Sequence, residues 1–145
     1  MSSPHFRELC IRVPATTANM GAGYDLLGMA LNLYNTLRFK PSERYGMSLS
    51  GPYAQSGFTL DPRSLLWQGV ERVYAEIGQT MPCFTVDQTM QIPPSRGLGS
   101  SSSAIVAGLY AANLWTGEPF SREQLLRFAT EIEGPPDNVA PALLG

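Results

Sequence analysis

One histidine, two cysteines and no run of basic residues are what this sequence has least of, and each scarcity closes a route. His5 stands alone near the start of the chain and builds no metal cluster, so zinc chemistry has no support. Cys10 and Cys83 lie far apart, each in an apolar run, and are expected to be buried thiols rather than a disulfide. Basic residues are scattered, with no grouping beyond the neighbourhood of Arg7 and Arg12. Net charge is -2 and the pI near 5.3, which argues against a nucleic-acid partner. The opening residues MSSPHFREL contain no apolar segment of the kind a secretory signal needs. Nor does any stretch reach the roughly 18 consecutive apolar residues of a membrane span. Residues 97–117 come nearest, being uncharged, but serines, glycines and Asn113 interrupt them. A helix buried on most sides of a soluble, cytoplasmic protein fits that stretch better than a membrane segment.

What is present is the material of a single globular domain. With 145 residues and 43% hydrophobic content, the chain can bury about 70% of its unfolded surface. Residues 6–13 (FRELCIRV) alternate as a strand that Pro14 is expected to close, and residues 31–39 (LNLYNTLRF) alternate again. In the latter, Leu31, Leu33, Asn35, Leu37 and Phe39 share one side. Residues 47–50 suggest a short partner strand. Asp61 followed by Pro62 has the form of a helix start, with Leu65, Leu66, Gly69, Val70, Val73 and Ile77 as the buried stripe and Gly78 beyond its end. Residues 82–92 are expected to form another strand. Ser121 with Gln124 makes a capping-box pattern for a last helix, whose apolar face is Leu125, Leu126, Phe128, Ala129 and Ile132. The chain ends in an apolar run without a cap, which suggests a fragment of a longer protein.

The segment with most chemistry is 94–104, PSRGLGSSSSA, between an expected strand and the uncharged helix. The first-turn N–H groups of a helix lack intrahelical partners, and the macrodipole puts partial positive charge there. Gly97 and Gly99 allow close approach of backbone to a phosphate, and the serine hydroxyls add donors or a magnesium ligand. The Walker A pattern fails because no lysine follows Gly99. The dinucleotide fingerprint fails because Ser102 stands where its third glycine belongs. A flexible Gly/Ser tether is a poor fit between a strand and a buried helix.

Two further groups bear on function. Asn19, Gly21, Gly23 and Asp25 crowd a turn-rich segment, suited either to holding a small polar ligand or to capping turns. Glu131, Glu133, Asp137 and Asn138 gather around a helix C-terminus, where carboxylates are disfavoured; they form either a metal site or a solvated helix end. An anion cradle, a divalent ion and a positioned hydroxyl are together what phosphoryl transfer requires.

Residues 12–31 (RVPATTANMGAGYDLLGMAL), 92–104 (IPPSRGLGSSSSA) and 131–145 (EIEGPPDNVAPALLG) resemble, in order, the motifs of the homoserine kinases, a branch of the GHMP small-molecule kinases. The resemblance implies an α+β fold, a two-layer sandwich with a mixed sheet packed on helices. Residues 1–145 would then be the N-terminal, ATP-binding domain, with a C-terminal domain lying beyond them. It implies transfer of the γ-phosphate of ATP to the side-chain hydroxyl of L-homoserine, in threonine biosynthesis. Pro94, Arg96, Gly97, Leu98, Gly99, Ser100, Ser101 and Ser102 would wrap the ATP phosphates. Ser101 and Glu133 would hold Mg²⁺, Asn19 and Asp25 would bind homoserine, and Asp137 and Asn138 would lie beside the acceptor hydroxyl. Relatives are often dimeric, so the full-length protein is a candidate homodimer.

Two departures stand against this pattern. Pro135 occupies a position often held by a substrate-binding histidine, which leaves open another hydroxylated acceptor. Family members are also about twice as long, so the 145-residue chain alone is expected to turn over little substrate. A non-catalytic ligand-binding protein on the same scaffold is the remaining alternative. Joint retention of Asn19, Asp25, Glu133, Asp137 and Asn138 speaks against it.

Overall fold

A computed structural model describes residues 5–17, 29–52, 60–92 and 100–133. Strands β1 (Leu9–Thr17), β2 (Met29–Pro41), β3 (Gly46–Ser50) and β4 (Phe84–Thr89) form one sheet in the order β1-β2-β4-β3. Helices α1 (Leu65–Glu76), α2 (Ser100–Trp115) and α3 (Arg122–Glu133) complete the described elements. β2 is antiparallel to both β1 and β4, whereas β3 runs parallel to β4 and reaches it through α1. The short strand expected at 47–50 therefore partners β4, not the strand that precedes it. Parallel neighbours cannot be joined by a hairpin, and α1 is the crossover.

Alternation in the strands divides the sheet into two faces. Leu9, Phe39, Val86 and Met47 align as one row across all four strands, and the first three of them are buried. The adjacent row is Cys10, Arg38, Asp87 and Ser48, and it is exposed. On that outer face Asp87 accepts a hydrogen bond from Ser48 and pairs with Lys40 at 3.1 Å. These contacts, led by the Ser48 bond, hold its carboxyl below the usual range. The helices pack on the other face, and residues from all of them join one apolar core. The result is a two-layer α+β sandwich.

Several expectations need correction. β1 does not stop at Pro14; it continues to Thr17, with a register shift between Pro14 and Thr16. Among the described strands β1 lies at the edge of the sheet, where a residue lacking an N–H is tolerated. Cys10 is exposed on the outer face and Cys83 half-buried; both are free thiols, so neither is the buried core residue expected. The first helix starts at Leu65, because Ser64 rather than Asp61 is its N-cap. Ser64 Oγ accepts from the Trp67 N–H at 3.3 Å, while Asp61 Oδ1 is occupied by the Arg63 N–H at 2.8 Å in the preceding turn. Within its stripe, Leu65 and Ile77 are half-buried and Tyr74 is buried instead.

Other local signals hold. Gly78 adopts φ +71°, and the N–H groups of Gly78 and Gln79 donate to the carbonyls of Ala75 and Tyr74 at 3.1 and 2.9 Å, a Schellman ending. At α3, the Ser121 N–H donates to Gln124 Oε1 at 2.8 Å and the Gln124 N–H to Ser121 Oγ at 3.2 Å, the reciprocal capping box. None of the helices among the described residues is long and apolar enough to cross a membrane.

α2 is the centre of the core. It carries no charged residue, and most of its circumference from Ser103 to Trp115 is buried. Trp115 closes it at 0% exposure, with Phe6, Phe39 and Phe84 around its ring at centroid distances of 4.8, 5.7 and 5.2 Å. Its indole N–H donates to the Arg7 carbonyl at 2.7 Å. Against α1 the approach is closest at Gly69 and Gly108. A Cβ at Gly69 would lie 2.7 Å from the Ile105 carbonyl oxygen, and one at Gly108 would overlap the Leu66 carbonyl. The two backbones touch there without side chains between them.

Candidate functional site

The site is organised by where α2 begins. β4 leads through Gln91 and Ile92 toward residues 93–99, and α2 begins at Ser100. The first turn of α2 is serine throughout and contains no acidic residue, so nothing within the helix neutralises its positive end. The first-turn N–H groups have no partner along the helix, which is the physical basis of an anion site.

Both flanks of 93–99 converge on one side chain. Asn35 of β2 is fully buried at 0% exposure. Its Oδ1 accepts from the N–H groups of Gln91 and Ile92 at 2.8 and 2.9 Å, and its Nδ2 donates to Ser103 Oγ at 3.4 Å. The carboxamide thus ties the strand exit to the first turn of α2. In the sequence Asn35 shares one side of its strand with Leu31, Leu33, Leu37 and Phe39, and no role was assigned to it. A polar residue in an otherwise apolar inward row (Leu37, Phe39) was the available signal, because a buried amide has to find partners.

The acidic group at the other end separates into two parts. Glu131 belongs to a structural network: Arg72 of α1 pairs with it at 3.0 Å and with Glu76 at 2.8 Å, while its guanidinium lies 4.2 Å from the centre of the Phe128 ring. These hydrogen bonds, first that to Glu76, raise the Arg72 pKa further. Glu133, the last residue of α3, is half-buried. Among the described residues no three His, Cys, Asp or Glu side chains gather into a metal site. Away from these residues, burial, with a smaller contribution from Tyr45, pushes the Tyr74 phenol of α1 up to about 12.

The structure therefore places Ser100, Ser101 and Ser102 in the opening turn of α2 and Glu133 at the end of α3, two helices that pack together. Asn19, Asp25, Pro94, Arg96, Gly97, Leu98, Gly99, Asp137 and Asn138 lie outside the described residues.

Residues 64–145, which include the whole of α1, β4, α2 and α3, match the GHMP kinases N terminal domain. The chain belongs to the GHMP kinase family. Within that family, a homoserine kinase of Desulfitobacterium hafniense is 47% identical over 135 residues, covering 93% of this chain and 45% of its own length. A homoserine kinase of Gloeobacter violaceus is 42% identical over 140 residues, covering 94% of this chain and 47% of its own. The crystal structure of homoserine kinase from Cytophaga hutchinsonii superposes with a TM-score of 0.81 at 28% identity, covering 95% of this chain and 46% of that one. The chain thus spans about half the length of the GHMP kinases it matches. The two-layer sandwich described above is the fold of their N-terminal domain.

Proposed function

We propose that these residues form the nucleotide-binding domain of a kinase that phosphorylates the side-chain hydroxyl of L-homoserine with ATP, a step of threonine biosynthesis. One observation carries the phosphate half of the proposal. A charge-free helix begins directly after a Gly/Ser-rich segment, with no acid in its first turn to compete with a bound anion. The acceptor is taken from the relatives named homoserine kinase.

The donor set fits Mg–ATP. Backbone N–H groups and hydroxyls suit phosphate oxygens, and a serine hydroxyl with a carboxylate suits a hard cation. Pro94, Arg96, Gly97, Leu98, Gly99, Ser100, Ser101 and Ser102 would surround the phosphates, with Ser101 and Glu133 as magnesium ligands. Bound magnesium would draw charge from the β- and γ-phosphate oxygens. Asn19 and Asp25 would hold homoserine, Asp25 facing its ammonium group by charge. Asn138 would orient the acceptor hydroxyl and Asp137 stands as the candidate acceptor of its proton. The hydroxyl oxygen attacks the γ-phosphorus, its proton leaves, and the bond to the bridging oxygen breaks to release ADP. Positioning and electrostatics supply most of the rate in such a site.

A coupled ADP-release assay with homoserine tests the proposal on the protein together with the remaining half of its relatives' length. Ser101→Ala and Glu133→Ala should each lower kcat/KM for Mg–ATP by about tenfold or more, the cost of one transition-state electrostatic contact. Parent-like kinetics in both variants would remove the metal assignment. Pro135, standing where similar kinases often carry histidine, favours a second acceptor class. A panel of other hydroxylated substrates in the same assay separates the two: faster turnover of a sugar or mevalonate than of homoserine would establish the alternative.

A further inference from the structure

We propose that Asn35 is a positioning residue for the phosphate-binding segment, holding both of its ends in register from the sheet. The proposal rests on the nucleotide reading of that segment. Residues 93–99 lie between Ile92, three residues past the end of β4, and Ser100, where α2 begins. Strand exit and helix entry belong to different elements, and nothing local in the sequence fixes the gap between them. Asn35 spans it. Its carbonyl oxygen takes the Gln91 and Ile92 N–H groups at 2.8 and 2.9 Å, and its amide reaches Ser103 Oγ at 3.4 Å.

Three features make this more than a packing contact. Asn35 is 0% exposed, so its carboxamide is shielded from competing water. The residues it holds are 56, 57 and 68 positions away in sequence, so the tie is wholly tertiary. It comes from β2, one of the two interior strands, held by β1 on one side and β4 on the other. A phosphate cradle gains from such pre-organisation, because donors that are already aimed need no rearrangement when the anion arrives.

The test combines amide hydrogen exchange by NMR with calorimetric titration of Mg–ATP into the protein. In Asn35→Ala, exchange at Gln91 and Ile92 should accelerate by about tenfold or more, while Phe39 and Val86 in the same sheet stay protected. The Mg–ATP dissociation constant should rise by about tenfold, as one cradle support is lost. Asn35→Asp keeps an acceptor for both N–H groups and should restore protection at Gln91 and Ile92. Should the alanine variant fail to fold, Ser103→Ala removes the tie to the helix and leaves the Asn35 carbonyl bonds in place, and it should weaken Mg–ATP while Gln91 and Ile92 remain protected. Uniformly faster exchange across Phe39 and Val86, or unchanged Mg–ATP affinity in variants that fold, would overturn the positioning role. A parent protein that does not bind Mg–ATP would instead remove the nucleotide reading, and the exchange arm would still judge the tie.

Discussion

α2 is held at each end by a buried asparagine, and the two ends are held in opposite ways. At the exit, Asn113 grips Phe120 twice: its Nδ2 donates to the Phe120 carbonyl at 3.0 Å and its Oδ1 accepts the Phe120 N–H at 3.1 Å. Both partners lie seven residues on, and Gly117 at φ +86° turns the chain between them. At the entrance, Asn35 reaches partners more than fifty residues distant. The exit is therefore a local device that stops one helix and launches the next. Of the two asparagine ties, only that at the entrance is anchored in the sheet, and only it adjoins the segment proposed to bind phosphate. The division between a local clasp and a long-range tie thus runs along a 16-residue helix about 24 Å long at 1.5 Å per residue.

That division can be broken by measurement. The largest effect is expected from Trp115→Ala at the exit, which empties the space inside three phenylalanine rings and should cost about 4 kcal/mol in urea unfolding. Asn113→Ala leaves the Phe120 N–H and carbonyl without their partner and should cost about 2 kcal/mol. Its Mg–ATP affinity should match the parent, in contrast to Asn35→Ala, and a loss as large as that of Asn35→Ala would erase the distinction between the ends. Smallest is Ser121→Ala, which removes half of the capping box and should cost about 1 kcal/mol with no effect on nucleotide. A change in nucleotide affinity there would mean that α3 carries the exit's signal to the site.

The same division explains what could be read in the sequence. Local devices were legible: the Ser121 and Gln124 box, Gly78 as a helix stop, the alternation of β2 and the uncharged, buried α2 each follow from residues a few positions apart. Misreadings arose where two local solutions competed or where position in the sheet decided. Asp61 and Ser64 are both good caps, and only the Asx turn onto Arg63 leaves the role to Ser64. Pro14 ends a central strand but not an edge strand, and nothing near it announces that β1 lies at the edge. Cys10 sits among apolar neighbours yet points outward, because the buried row runs through Leu9 and Val13. Of the candidate site, the Gly/Ser segment and its family were legible as motifs. The role of Asn35 was not, since none of its partners lies on its own strand.

The bare contact between α1 and α2 also bears on how this domain can be altered. Glycine inside a helix sacrifices about 1 kcal/mol of intrinsic propensity relative to alanine, so Gly→Ala in a helix interior is a standard route to a more heat-resistant protein. At Gly69 and Gly108 the added methyl group would meet the main chain of the facing helix, which cannot rotate away as a side chain can. A thermostabilisation campaign guided by helix propensity would choose these two positions early. At both it would push α2 off the helix that supports it, so resistance to heat has to be sought on other faces of the fold.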